Sequence, residues 1–217
     1  MLYAVADIIA DVRAALNRAA RSAPLSETFD PERAFLDDIV RRSLCDVVAY
    51  VHRHAPVERL EPGLSFHGAV GWLPAPVGGG FVALPDDFMR LVAFKMSDWR
   101  CVVCHAIEPD THAYRRQFST FGVAGCPERP VVAIVSRPSG LNLEFFTSSS
   151  DEMTIGQYVP FPHIDDEDYV DISRQLHGAV VCRLAALLSE SVGEPPQSFT
   201  LAERLRQRSD RLMLQQP

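Results

Sequence analysis

No apolar run in this chain of 217 residues reaches the roughly 18–20 residues that a bilayer-spanning helix needs. The N-terminal stretch Met-Leu-Tyr-Ala-Val-Ala-Asp also lacks the positive region of a secretory leader, and Asp7 and Asp11 interrupt any apolar core behind it. The expectation is a protein made and kept in a cytoplasm unless it leaves as part of a particle. Basic excess is missing too. The 21 Lys and Arg face 28 Asp and Glu, for a net charge of −7. Wholesale nucleic-acid binding needs clustered cations to neutralise phosphates, so this balance argues against it. The five cysteines (Cys45, Cys101, Cys104, Cys126 and Cys182) are odd in number and follow no framework spacing. They read as free thiols. No internal repeat is visible.

What is present suits one globular domain. A chain that is 47% hydrophobic and 23% charged can bury a sizeable core. Val5, Ile8, Ile9, Val12 and Leu16 recur at helical spacing and predict an amphipathic helix over Ala4–Arg21, with Pro24 breaking after it. Asp30-Pro31 is a cap followed by a first-turn proline, and opens a second helix to about His54. Glu61–Gly80, with three Pro and six Gly, reads as loop anchored by Phe66 and Trp72. Period-two patterns then predict strands at Phe81–Leu84, Leu91–Met96, Cys101–Ile107, Val131–Ser136, Leu141–Phe146 and Thr154–Val159. Arg137-Pro138-Ser139-Gly140 turns a hairpin over Val131–Phe146. A short helical turn falls near Thr111–Phe118.

After Pro160-Phe161-Pro162, Asp171 is expected to cap a third helix along Ile172, Leu176, Val180, Leu184, Leu187 and Leu188, ended by Gly193 and Pro195-Pro196. Thr200 and Glu203 have capping-box spacing for a last helix over Leu201–Leu214. Two helices, strands, then two helices imply an α+β fold in a single domain. The expected form is a helical bundle from the N- and C-terminal helices (1–60 and 165–217) with a central antiparallel β insertion (72–162).

The densest stretch is Leu84–Arg100, L-P-D-D-F-M-R-L-V-A-F-K-M-S-D-W-R. Pro85 suits a strand end, Asp86 and Asp87 a turn, and Leu91–Met96 a strand with Leu91, Ala93 and Lys95 on one face and Val92, Phe94 and Met96 on the other. This string, with the Y-R-R-Q and P-E-R-P-V-V-A segments after it, resembles a virion protein of tailed bacteriophages of Bacteroidetes, the crAss-like phages among them. The resemblance covers roughly Phe81–Phe161. It implies a non-enzymatic head-to-tail connector, a subunit of a closed neck ring of about twelve copies that docks on the portal protein. Such a ring would seal the DNA-filled head and attach the tail or further neck proteins. Its place would be the virion neck, assembled in the host cytoplasm, with no membrane and no cofactor. DNA would pass through its channel without sequence recognition, and an acidic or mixed wall would not hold it back. Glu61–Gly80 and Thr147–Ser150 would be free loops in a monomer, ordered by neighbouring subunits.

Several residues invite chemistry, and each has a plainer reading. Cys101-Val102-Val103-Cys104-His105 has the C-x-x-C-H spacing of haem attachment, but a strand would aim the two thiols at opposite faces. Cys101, Cys104, His112 and Cys126 are candidate zinc ligands, the alternative to the connector reading. Only one pair among them has knuckle spacing, so buried sheet cysteines explain them better. Asp165–Asp168 lacks the ligand order of a calcium loop and reads as a solvated loop. Asp86-Asp87 reads as a turn rather than a catalytic pair. Gly78-Gly79-Gly80 has no following Lys-Ser/Thr and reads as a flexible loop tip. Ser136, Ser148 and Ser149 sit in no nucleophile elbow. Arg204, Arg206, Arg208 and Arg211 make the last helix locally basic, for solvent or an acidic partner surface before DNA.

Overall fold

The structure, a computed structural model, describes residues 1–20, 31–61, 63–119, 121, 124–192 and 197–214. The chain is mixed α and β with antiparallel sheets, and it divides into two compact units: Met1–Glu61 with Phe161–Pro217, and Pro62–Pro160.

The first unit carries β1 (Leu2–Ala4), α1 (Val5–Ala20) and α2 (Pro31–His54), and from the later chain β9 (Tyr169–Asp171), α4 (His177–Val192) and α5 (Gln197–Leu214). The periodic apolar residues of α1 and α2 are its core: Val5, Ile8 and Val12 from one helix, Leu44, Val48 and Val51 from the other. Helix α4 packs against α1, α2 and α5, and is buried on more than one face. Its Ala179, Ala185 and Ala186 are small enough for neighbouring backbones to come close. Polar groups fix the register. Ser209 Oγ donates to the carbonyl of Ala179 at 2.9 Å, and the Arg183 guanidinium lies 3.8 Å over the Tyr50 ring while reaching Asp210 at 3.2 Å. At the C-terminal end of α5, Arg59 donates to the carbonyls of Leu212 and Met213 and, at 3.0 Å, to that of Gln175. A cation there meets the unpaired carbonyls of the last turn.

Three expectations fail in this unit. Asp171 caps no helix: residues 169–171 form β9, paired antiparallel with β1 through Tyr3↔Val170, and α4 starts only at His177. The partner strand comes from the other end of the chain, so no local pattern announced it. Ala4 accordingly ends β1 instead of opening α1. Thr200 is no cap either, because α5 begins at Gln197 and places it inside the first turn. Arg21, Pro24, Asp30, Gly193 and Pro195-Pro196 lie outside the described residues.

The second unit holds β2 (Leu64–Ser65), β3 (Gly71–Trp72), β4 (Gly80–Ala83), β5 (Phe88–Met96), α3 (His112–Arg116), β6 (Val131–Arg137), β7 (Gly140–Phe146) and β8 (Met153–Pro160). Two antiparallel sheets, ordered β2-β8-β5 and β3-β4-β7-β6, enclose one apolar cluster. Phe94 of β5 lies 6.2 Å from Phe145 of β7, and Trp99 meets both edge-on at 5.6 and 6.2 Å. The hairpin of β6 and β7 forms with Arg137 opposite Gly140. Gly140 takes a φ of 119°, which a side chain would resist. Gly80 is needed for space: a Cβ there would stand 2.4 Å from the Phe145 ring.

The strand expected over residues 101–107 is absent. Val103 exchanges two backbone hydrogen bonds with Phe94 (2.8 and 2.9 Å), and Ile107 N–H then donates to Val132 at 2.9 Å. The segment thus crosses from the β5 edge of one sheet to the β6 edge of the other. On the opposite side the chain pairs first with β8 as β2 and then with β4 as β3, crossing the same gap. Exposed edges recruit foreign strands, and these crossings cover them. The loop expected over residues 61–80 therefore includes two short strands. Within β5 the simple alternation also breaks. Leu91 and Val92 are both buried, because a register irregularity lies between Leu91 and Ala93.

Phe145→Ala should destabilise the protein by about 3–5 kcal/mol, the usual cost of emptying an aromatic core position. The urea unfolding midpoint, followed by Trp fluorescence, is the measurement that checks it.

Candidate interaction surface

Strand alternation gives β7 two different faces. Leu143 and Phe145 enter the core, while Asn142, Glu144 and Phe146 face the other way and are nonetheless buried. Their cover includes the segment around α3. Thr111 caps that helix, its Oγ1 accepting from Tyr114 N–H at 3.3 Å, and the Tyr114 ring packs 5.8 Å from Phe146. Glu144, 1% exposed, accepts from the Tyr114 hydroxyl at 2.7 Å and from Arg137 Nε at 3.0 Å and Nη2. Burial, with Glu144 alongside, pushes the Tyr114 hydroxyl up to about 12. Both carboxylate oxygens are engaged by protein donors, so this arrangement ties α3 to the sheet. It is a brace, not a reaction centre.

A second polar cluster pins two loops. Asp98 accepts from Ser149 N–H and the Ser148 hydroxyl, both at 2.8 Å, and from Ser149 Oγ at 3.2 Å. Burial pushes its carboxyl up, but these hydrogen bonds outweigh it and hold it below the ordinary carboxylate range. Ser148 N–H donates to Gly78 at 2.8 Å, and Leu73 and Gly79 close the base of the neighbouring turn at 2.9 Å. Residues 147–150 and the tip at 73–80 are therefore hydrogen-bonded within the chain, contrary to the expectation of loops free until a neighbour binds. Gly78 (φ 78°) serves the turn and Gly80 opens β4, so the triple glycine is a built corner and not a flexible tip.

The remaining sequence candidates do not converge. Cys101 is exposed, Cys104 and Cys126 half-buried, and no group of three or more His, Cys, Asp or Glu able to hold a metal ion occurs among the described residues. Cys101, Cys104, His105, His112 and Cys126 thus form no ligand set in this structure. Asp87 accepts from Tyr158 Oη at 2.9 Å, and Phe88 N–H closes a turn onto Pro85. Burial and that carboxylate push the Tyr158 hydroxyl up to about 12. The acidic run is also a built turn. Asp165 Oδ1 accepts from the N–H groups of Glu167 (3.1 Å) and Tyr169 (2.7 Å), and Arg41 takes Asp168 with two donors.

Sequence reasoning missed the apolar side chains that stand in water. Val77, at the corner of the 73–79 turn, is 97% exposed and Phe121 89%, while Trp72 keeps 47% exposure with one edge on Phe145. A Val beside Pro and Gly carried no periodic signal that would have separated it from a core residue. No helix among the described residues is long and apolar enough to cross a membrane. No protein-family model and no curated protein matches this chain.

Two measurements test these ties. Tyr114 and Tyr158 should ionise near pH 12, above the ordinary phenol value of about 10, and Tyr114→Phe should remove one late step from the phenolate absorbance. Their raised folded values mean that the stabilisation is complete below pH 10 and fades as pH rises from 10 to about 12. Asp98 has the opposite sign. Its contribution is complete above about pH 4 and is lost as pH falls further. Asp98→Asn should flatten that acid loss and speed amide exchange at Ser149.

Proposed function

We propose that this protein is a virion structural component, a subunit of a head-to-tail connector ring at the neck of a tailed phage. The reading rests on the resemblance over residues 81–161. It is carried physically by one observation: Val77, at a tight, hydrogen-bonded corner, lies almost wholly in water, and the Phe121 side chain is exposed as well. Holding an apolar side chain out on a rigid corner wastes burial in a monomer and gains it in an assembly. We read the chain as a helical bundle from both chain ends with a central β insertion whose corners reach neighbouring subunits. The ring would close through repeated contacts of unlike surfaces, dock on the portal, seal the packaged head and receive the tail. Interface burial drives every step, and no enzymatic chemistry is required.

Light-scattering mass across a concentration series, alone and with the portal protein of the same phage, tests this. A ring, or a monomer that assembles on the portal, is the expected result. Val77→Asp and Phe121→Asp should each weaken assembly by about tenfold or more, or at least ~1.4 kcal/mol, with an unchanged unfolding midpoint. A monomer that ignores the portal at every concentration overturns the proposal.

A further inference from the structure

The basic residues of α5 fall into two groups. Arg206 reaches Glu190 at 2.5 Å, one of the pairs that hold α5 to the rest of its unit. Arg204, Arg208 and Arg211 instead follow helical spacing along the exposed side and have no hydrogen bond or ion pair among the described residues. The one acid on that side, Glu203, already accepts from Gln207 at 3.1 Å. Three forked cations are therefore lined up in solvent on a chain with seven excess negative charges.

The same unit carries the complement. In the turn before β9, Asp168 is neutralised by Arg41 and Asp165 is spent on backbone N–H groups. Asp166 and Glu167 are exposed, and neither side chain has a partner among the described residues. The two patches do not meet within one chain, since no ion pair joins them. A second copy can satisfy both at once.

We infer that the Arg204–Arg208–Arg211 stripe docks on the Asp166–Glu167 turn of another copy of this chain. The contact joins unlike surfaces, so it propagates head to tail as a ring requires, and it leaves one free patch of each sign only if the ring stays open. Opposite charges at a rim steer encounter and set register, and their effect weakens as salt screens them. This inference rests on the ring reading and adds to it which surfaces meet.

A charge swap decides it. Arg204→Glu with Arg208→Glu, and separately Asp166→Arg with Glu167→Arg, should each weaken self-association at least about tenfold at low salt. The four substitutions combined in one chain should restore it. Neutral Arg204→Gln with Arg208→Gln should shift association the same way by less, which keeps the test valid should a reversed-charge variant misfold. Swaps that leave association unchanged, while Val77→Asp still reduces it, overturn this contact and spare the ring. A wild type that associates neither alone nor on the portal overturns both. A short DNA duplex, followed by fluorescence anisotropy, gives the other arm. If the arginine variants lose duplex binding yet keep their mass, the stripe serves phosphates and the inference is wrong.

Discussion

The contact on which the β unit depends is the meeting of Phe94, Trp99 and Phe145 between its two sheets. Each ring comes from a different segment: β5, the turn after it, and β7. Aromatic pairs of this kind contribute about 0.5–1.5 kcal/mol beyond their burial, and here three pairs share three rings. Their bulk also sets conditions nearby. Gly80 must lack a side chain to pass Phe145, and Trp72 lies edge-on to the same ring. The crossing segment at 103–107 starts from the backbone of Phe94 itself. Packing at this point therefore fixes both the separation of the sheets and the place where the edges are closed.

Around that core the buried polar groups act as ties. Glu144 faces away from the apolar cluster, and ionised it would be costly there without Tyr114 and Arg137. Asp98 does the same at the loop end with serine hydroxyls and a backbone N–H. Each carboxylate binds segments distant in sequence, so each converts a turn into a fixed corner. That rigidity makes the exposed Val77 a defined surface feature, and it gives the assembly reading its physical basis.

Legibility differed by kind of element. The helices at 5–20 and 31–54 and the hairpin at 131–146 were readable because period and turn chemistry are local. The short helical turn near Thr111–Phe118 was readable for the same reason, although its cap at Thr111 was not singled out. The site was less legible. Asp86-Asp87 was correctly taken as a turn, but the roles of Glu144, Asp98 and Tyr114 left no linear trace, since their partners lie 7 to 51 residues away.

By itself, the sequence determined the α+β class, the flanking of the strands by helices from both chain ends, and which faces of α1 and α2 are apolar. Each of these follows from spacing within a dozen residues. Tertiary structure alone decided that residues 101–107 cross between sheets, that Asp171 ends a strand paired with β1, and that α4 begins at His177. An extended apolar stretch satisfies its backbone wherever a free edge is offered, and the location of that edge is a property of the folded chain.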